Sequence, residues 1–173
     1  MSLEVDAVKV DGEWIRHAPH RSSLLGRASV PTDGRWQRGE NGGALYLADE
    51  PETAVAEWYR YLAERGLPPD HAIPHDHHVW SIELEVANLS DTDCLARVGL
   101  DRPVPRRRTW SSFQDVGEAL AREGWAGLLA PSAARPDHLV LCVFTTGWPP
   151  NGCTPLRNIE IVEPPHRPRG LRT

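Results

Sequence analysis

A chain of 173 residues is long enough for one domain that buries roughly 70% of the surface its unfolded form exposes, so no small-protein staple is needed. The net charge of -5 and the pI near 5.9 argue against direct nucleic-acid binding, which depends on basic groups that neutralise phosphates. The three cysteines are widely spaced and form no CxxC pair, which excludes a disulfide framework and a Cys-ligated zinc. An acidic N-terminus and the absence of ~20 consecutive apolar residues predict a cytoplasmic protein with no membrane span.

The first predicted elements lead into a segment rich in chemically useful residues. A strand over Glu13–Ala18 precedes a loop from Arg21 to Asp33 that is rich in Ser, Gly and Pro. Residues 34–62, GRWQRGENGGALYLADEPETAVAEWYRYL, then join a Gly-rich basic loop, a short strand and a capped helix. Glycines allow the backbone to approach a ligand, and an arginine can bind phosphate through two parallel hydrogen bonds. This succession indicates a nucleotide-handling site.

The second strand and the first helix follow each other directly. Alternation predicts a strand over Ala44–Ala48, and a helix begins near Pro51, because proline is tolerated in a first helical turn. Asp49 or Glu50 is the expected cap of this helix. The predicted strand is therefore followed, after two residues, by the helix that contains Glu57.

The helix has one apolar stripe with a carboxylate beside it. Helical spacing places four residues on the stripe: Val55, Trp58, Tyr59 and Leu62. On a wheel of 100° per residue, Glu57 lies next to the stripe, together with Ala54 and Tyr61. Glu57 is therefore expected to face a cleft at the edge of the helix, although an ordinary exposed glutamate has the same spacing.

The remaining segments predict an α+β domain around a mixed or split sheet, because they lack a regular β-α-β alternation. A Pro- and His-rich connection, residues 66–78, precedes a strand over Val79–Val86 in which Val79, Ser81, Glu83 and Glu85 form the wet side. The other predicted elements are a helix over Ser111–Glu123 and strands over Gly127–Ala130, His138–Thr145 and Ile159–Val162. One domain is expected for residues 1–173, with its core over about 13–163 and a tail over 164–173.

Two charged clusters have plain structural interpretations. His71, His75, His77 and His78 lie near Asp70 and Asp76, but their spacing matches no established metal site. We therefore expect a solvated loop and no bound metal. The run Arg106–Arg108 is likewise interpreted as a solvated loop next to prolines.

The standard nucleotide and hydrolase motifs are absent from the sequence. It contains no GxGxxG after a strand, no GxxxxGK[ST] and no GxSxG, so a Rossmann turn, a P-loop and a nucleophile elbow are not supported. Ser132 instead follows a short apolar strand, at a sheet end where ligand-binding side chains often lie. Taken alone, Ser132 has the alternative of a turn serine and Tyr46 that of an ordinary strand aromatic.

Taken together, these segments resemble the RES domain, a family named for an arginine, a glutamate and a serine. The opening strand with its arginine is matched by Trp14–Arg16, and the Gly-Arg-Trp element by Gly34–Trp36. The strand tyrosine is matched within Gly43–Leu47, the helix glutamate within Thr53–Glu57, and the serine within Ala130–Ala133. The resemblance covers roughly residues 13–145.

The resemblance implies a fold and an activity. RES proteins look like ADP-ribosyltransferases, which implies an ADP-ribosyltransferase-like mixed or split sheet flanked by helices. Their activities consume NAD by hydrolysis, by phosphorolysis or by transfer of ADP-ribose to a protein. Many are toxins paired with a helix-turn-helix antitoxin of the Xre type. NAD is then a substrate, and no separate cofactor is expected.

The same resemblance assigns roles to particular residues. The catalytic set is Glu57, Tyr46, Arg16 and Ser132, and the substrate-binding set is Arg16, Arg35, Trp36, Tyr46 and Ser132. Cleavage of the nicotinamide–ribose bond develops oxocarbenium character on the ribose, which a carboxylate stabilises. Glu57 fits this role, while arginines bind the diphosphate and Tyr46 stacks on nicotinamide or orients the ribose.

Several alternatives stay open at this stage. Arg21 and Arg27 lie close to Arg16 and compete with it as the first site arginine. The acceptor is water, phosphate or a protein side chain, so a protein ADP-ribosyltransferase toxin is the alternative enzyme. A non-catalytic partner-binding domain is the alternative of another class. The antitoxin and the oligomeric state, including a homo-oligomer, are not determined by the sequence.

Overall fold

The computed structural model describes residues 3–26, 31–145 and 147–173, which form a six-stranded sheet with three α-helices. In chain order the elements are β1 (Ala7–Pro19), β2 (Gly43–Ala48), α1 (Pro51–Arg65), β3 (His75–Asn88), α2 (Thr92–Arg97), α3 (Trp110–Arg122), β4 (Gly127–Pro131), β5 (Leu139–Thr145) and β6 (Cys153–Ile161). The predicted α+β class with a mixed sheet is confirmed.

The sheet consists of two antiparallel halves that are joined by short pairings. One half contains β1, β3 and β6, and the other contains β2, β5 and β4. The parallel pairing of β3 with β4 involves only Ala87 with Leu128 and Asn88 with Leu129. Strands β1 and β2 meet at a single register pair, Ile15 with Ala48. Because so few residues join the halves, the strands β1 and β2 can separate on one side of that pair.

Helix α1 follows β2 and begins and ends as its sequence requires. Glu50 is the N-cap residue with an extended backbone, and proline occupies the first turn. The Glu50 side chain makes no cap hydrogen bond, because its carboxylate pairs with Arg135. Gly66 ends the helix in the left-handed conformation, at a φ of 63°, which glycine adopts without a steric penalty.

The predicted apolar stripe of α1 is confirmed, since its four residues are buried in one cluster. The C-terminal segment contributes to this cluster. Leu171 packs against it, the Tyr59 hydroxyl donates to the Pro165 carbonyl oxygen, and the Arg172 backbone N–H donates to the Ala134 carbonyl oxygen over 2.7 Å. The segment that was predicted as a tail therefore contacts both α1 and the loop after β4.

The loop between β1 and β2 is fixed against α3. A Cβ atom at Gly117 would collide with the Trp36 carbonyl oxygen, so only glycine allows this close approach. Gln114 donates from Nε2 to the Gly34 carbonyl oxygen at 2.9 Å, and Arg38 pairs with Glu118 at 2.9 Å. These contacts hold residues 34–38 in a defined position beside the sheet.

The prediction of a solvated histidine loop is wrong for three of the four histidines. Strand β3 begins at His75, and His75, His77 and His78 are buried with Asp76. The physical reason is pairing on both edges, with β1 and with β6, which covers the start of the strand. Val79 is also fully buried, whereas it was predicted on the wet side.

The start of β3 is covered by groups from three neighbouring segments. The His75 ring stacks on Trp58 of α1, with 4.3 Å between ring centroids. Asp76 accepts hydrogen bonds from the Arg21 backbone N–H at 2.7 Å and from Asn158 Nδ2 at 2.9 Å. Groups from α1, from the loop after β1 and from β6 therefore replace solvent around the start of β3.

Other boundaries also differ from the predictions. Strand β1 begins at Ala7, six residues earlier than predicted, and β6 begins at Cys153 instead of Ile159. The short helix α2 was not predicted. Long-range strand pairing sets the two strand boundaries, and local sequence patterns do not encode it, whereas α2 has a local signal in its N-cap residue Asp91.

Candidate active site

A cavity of about 350 Å³ lies where β1 and β2 separate, a volume within the usual range for ligand sites. Strand β1 contributes Arg16, the following loop contributes Arg35, β2 contributes Tyr46, and α1 contributes Glu57. With Trp36, five of the six site residues predicted from the sequence therefore line one cavity, and Ser132 lies behind its wall. Its location follows from the single pairing of β1 with β2, beyond which the two strands no longer fill the space between them.

The Glu57 carboxylate is held by a different donor on each oxygen. The Ser132 hydroxyl donates to Oε1 over 2.6 Å, and Arg60 Nε donates to Oε2 over 2.7 Å. Burial favours the neutral acid, but Arg60 and the Ser132 hydrogen bond outweigh burial, so the pKa of Glu57 lies below its usual value. The side chain is 17% exposed and carries a fixed negative charge at the cavity wall.

Ser132 lies behind the carboxylate. It is fully buried, and its Oγ accepts hydrogen bonds from the backbone N–H groups of Ala134 at 3.2 Å and Arg135 at 3.0 Å. With its own proton donated to Glu57, the hydroxyl has three partners within the protein. The geometry directs Ser132 at the glutamate and leaves its neighbours Pro131 and Ala133 on the cavity wall.

Arg60 and Glu64 belong to the site but were missed from the sequence. Arg60 lies one helical turn after Glu57 and pairs with both carboxylates, with Glu57 through Nε and with Glu64 through Nη1. Both residues line the cavity. The i, i+3 and i+7 spacing of Glu57, Arg60 and Glu64 was a visible signal, because residues three and four apart share a helix face.

Arg35 is a buried cation with part of its hydrogen-bonding capacity unused. Its Nη2 donates to the Val104 carbonyl oxygen at 2.8 Å, and its guanidinium lies 5.4 Å from the Phe113 ring and 5.7 Å from the Trp110 ring. Its Nη1 has no hydrogen-bond partner among the described residues. Burial, together with Arg60, lowers the pKa of Arg35 to about 10, so the group remains charged at neutral pH.

Arg16 is a second cation whose charge is not neutralised locally. It is partly buried on the cavity wall, and burial lowers its pKa. Within residues 3–26, 31–145 and 147–173 it has no ion pair or hydrogen bond from its side chain. Next to it, burial lowers the pKa of His17 to about 3, so His17 is neutral. Arg21 is not on the cavity wall, and Arg27 lies outside the described residues.

Tyr46 and Trp36 are linked through the backbone. The Trp36 backbone N–H donates to the Tyr46 hydroxyl over 3.1 Å, and a Cβ atom at Gly34 would collide with the same hydroxyl. Burial raises the pKa of Tyr46 well above its usual value, so the phenol stays neutral. The Trp36 side chain is 1% exposed and packs edge-on against Phe113, so its ring belongs to the core.

The described residues contain neither a metal-binding group nor a membrane-spanning helix. No group of three or more His, Cys, Asp or Glu side chains suited to a metal ion occurs in the described part of the chain. None of the helices in that part is long and apolar enough to cross a membrane.

The fold and the site define an α+β protein with a largely buried, ionised glutamate and several arginines around one cavity, among them Arg16 and Arg35. The family model for the RES domain matches residues 9–155, and the chain belongs to this family. The fold is similar to a chain in the crystal structure of the M. tuberculosis MbcT–MbcA toxin–antitoxin complex, with a TM-score of 0.76 and 22% identity over 90% of this chain and 87% of that chain. A comparison with curated proteins found no match.

Proposed function

We propose that this chain is an NAD-consuming enzyme of the RES type that cleaves the nicotinamide–ribose bond and acts as a toxin. The observation that carries the proposal is the Glu57 carboxylate, which is kept ionised by Ser132 and Arg60 at the wall of a cavity. Arg16 lines the same cavity, and so does Arg35, whose Nη1 has no hydrogen-bond partner among the described residues. A negative group for a developing cation and positive groups for a diphosphate are the two requirements of NAD cleavage.

The chemical step breaks the bond between ribose C1′ and the nicotinamide nitrogen. The bonding electrons leave with nicotinamide, whose ring is cationic in NAD and becomes neutral, so no general acid is needed. Positive charge develops on the ribose, and a preorganised carboxylate stabilises it without reorganisation. Glu57 provides this charge and can accept a hydrogen bond from a ribose hydroxyl, since each of its oxygens has a further lone pair.

The remaining residues bind and orient the substrate. Arg16 and Arg35 hold the diphosphate through charge-assisted hydrogen bonds. Tyr46 is neutral and offers its ring to the nicotinamide or its hydroxyl to the ribose. Ser132 acts through Glu57 by holding its Oε1. In this proposal Trp36 contributes its backbone N–H to Tyr46 and keeps its ring in the core.

An ADP-ribosyltransferase-like core is part of the same proposal. Two three-stranded halves joined by short pairings support it, because a split sheet provides the cleft for an extended dinucleotide. The likeness to a solved structure at 22% identity supports the fold and leaves the reaction to be measured.

The identity of the acceptor is tested by product analysis. Purified protein is incubated with NAD, with and without inorganic phosphate, and free nicotinamide and the ribosyl product are followed. Free ADP-ribose indicates hydrolysis, a phosphorylated ribosyl product indicates phosphorolysis, and label on protein indicates ADP-ribosyl transfer. No release of nicotinamide under any of these conditions would contradict the proposed function and favour a non-catalytic binding domain.

The toxin role is tested by expression in bacteria. The similar chain comes from a toxin–antitoxin complex, which supports an antitoxin partner, and we propose a helix-turn-helix protein of the Xre type that covers the cavity. Expression of the chain alone should arrest growth and deplete the cytoplasmic NAD pool, and a co-expressed antitoxin should relieve the arrest. Normal growth and normal NAD with abundant folded protein would exclude the toxin role.

A further inference from the structure

We propose that Arg60 is a positioning residue for Glu57, and that Glu64 holds Arg60 in the orientation this requires. The inference rests on the proposed function of Glu57 and adds two residues that are absent from the site residues predicted from the sequence. It predicts that the geometry and the charge of the glutamate depend on a three-residue chain along one face of α1.

The carboxylate plane of Glu57 is fixed because its two oxygens are held from different elements. Ser132, from the loop after β4, donates to Oε1, and Arg60, from α1, donates to Oε2. A carboxylate with one donor can rotate about its terminal torsion, since such torsions are broad. Two donors on separate oxygens remove this freedom, and the remaining lone pairs are left in a defined direction.

Glu64 fixes the orientation of the Arg60 guanidinium in the same way. The guanidinium is planar, with Nε on Glu57 and Nη1 on Glu64, so the two carboxylates fix it at separate nitrogens. The three side chains are 17%, 17% and 12% exposed, for Glu57, Arg60 and Glu64 respectively. Exposed pairs at this spacing contribute little, but screening by water is reduced here, so the interactions are stronger.

Charged groups near Glu57 come from α1, from the loop before β2 and from β1, and the cavity wall also carries Asp33, Arg65 and Arg107. Arg60 and Glu64 face it from α1, Arg35 from the loop before β2, and Arg16 and His17 from β1, where His17 is neutral. Removal of Arg60 leaves Glu57 near a second carboxylate with one cation fewer. The proton affinity of Glu57 then rises, because a like charge and burial both favour the neutral acid.

The experiment compares Arg60→Gln, Arg60→Lys and the double variant Arg60→Gln/Glu64→Gln with wild type. For Arg60→Gln we expect kcat at neutral pH to fall roughly 10- to 100-fold, the usual scale for a hydrogen bond to a charged group, with a smaller change in KM. The acid limb of its kcat profile should move to higher pH. In the double variant the limb should return part of the way, because the second carboxylate is gone. Arg157→Gln, which removes an exposed pair with Glu13, is the control and should match wild type.

A second measurement follows the carboxyl group without activity. Carbon NMR of labelled glutamate gives the titration of Glu57 in wild type and in each variant. Arg60→Lys keeps the charge, so its titration should stay near that of wild type even if Arg60→Gln does not fold. A Glu57 titration and an acid limb that are unchanged in Arg60→Gln, or a limb shifted equally in Arg60→Lys, would overturn the proposal. If wild type releases no nicotinamide, the proposed function fails, whereas the NMR titration still decides the role of Arg60.

Discussion

Two regions of this protein hold polar side chains on or against α1, and they differ in how many hydrogen-bond partners those side chains have. At the cavity, Glu57 is 17% exposed and has hydrogen-bond donors on both carboxylate oxygens. At the start of β3, His75 is buried with neither ring nitrogen hydrogen-bonded, and His77 has an unpaired Nε2, among the described residues. Each histidine is 4% exposed, so both regions exclude most solvent, but the supply of hydrogen-bond partners differs.

The difference determines which groups carry charge. Partners lower the pKa of Glu57 in spite of burial, so the carboxylate is ionised at neutral pH. Without such partners, burial lowers the pKa of His75 and of His77 to about 4, so both imidazoles are neutral. Removing a carboxylate from water costs free energy even when several donors hold it. The presence of such a group at a cavity therefore indicates a functional role for Glu57. The histidines serve as packing residues, as the stack of His75 on Trp58 shows.

The largest effect is expected from Glu57→Gln, which keeps the size of the side chain and removes its charge. NAD turnover should fall by about 10²-fold or more, because the electrostatic stabilisation of the ribosyl cation is lost. The fold should persist, since Arg60 retains Glu64 as a partner. Nicotinamide release and thermal unfolding measure the two properties, and turnover within twofold of wild type would remove Glu57 from the catalytic role.

A smaller effect is expected at the cations of the cavity. Arg16→Ala and Arg35→Ala should each weaken NAD binding roughly tenfold, since each removes one charge-assisted contact to the diphosphate. Arg21→Ala is the matched control, because Arg21 is not on the cavity wall. Calorimetry measures the affinity of each variant for NAD. If only Arg21→Ala lost affinity, Arg21 and not Arg16 would be the first arginine of the site.

The smallest effect concerns the histidine region and appears in stability alone. Because the native pKa values of His75 and His77 lie below that of a free imidazole, the unfolded chain binds more protons between about pH 4 and pH 6.5. The free energy of unfolding should therefore fall as the pH is lowered through this window. His75→Phe should reduce proton uptake on unfolding by roughly one proton. Denaturant unfolding at several pH values measures this, and identical pH dependence in both proteins would contradict it.

The parts of the structure that were predicted from sequence are those with local signals. The stripe of α1 and the cap position at Glu50 follow from helical spacing and from Pro51. The same spacing places Glu57 at the edge of the helix, where the structure puts the cavity. Local patterns were sufficient because helix contacts lie within one or two turns.

The parts that were missed depend on distant segments. His75 is buried because β1 and β6 pair with both edges of β3, and nothing in the HDHH sequence encodes those partners. The burial of the Trp36 ring depends in the same way on Phe113, which lies on α3. The role of Arg60 had a local signal in its spacing from Glu57, but the burial that strengthens this pair was not visible.

The most direct test of the proposed site is a crystal structure of Glu57→Gln soaked with NAD. We expect intact NAD in the cavity, with the nicotinamide ribose against residue 57 and the diphosphate in contact with Arg16 and Arg35. NAD bound elsewhere on the protein, or a cavity that stays empty at saturating NAD, would contradict the assignment of this cavity as the active site.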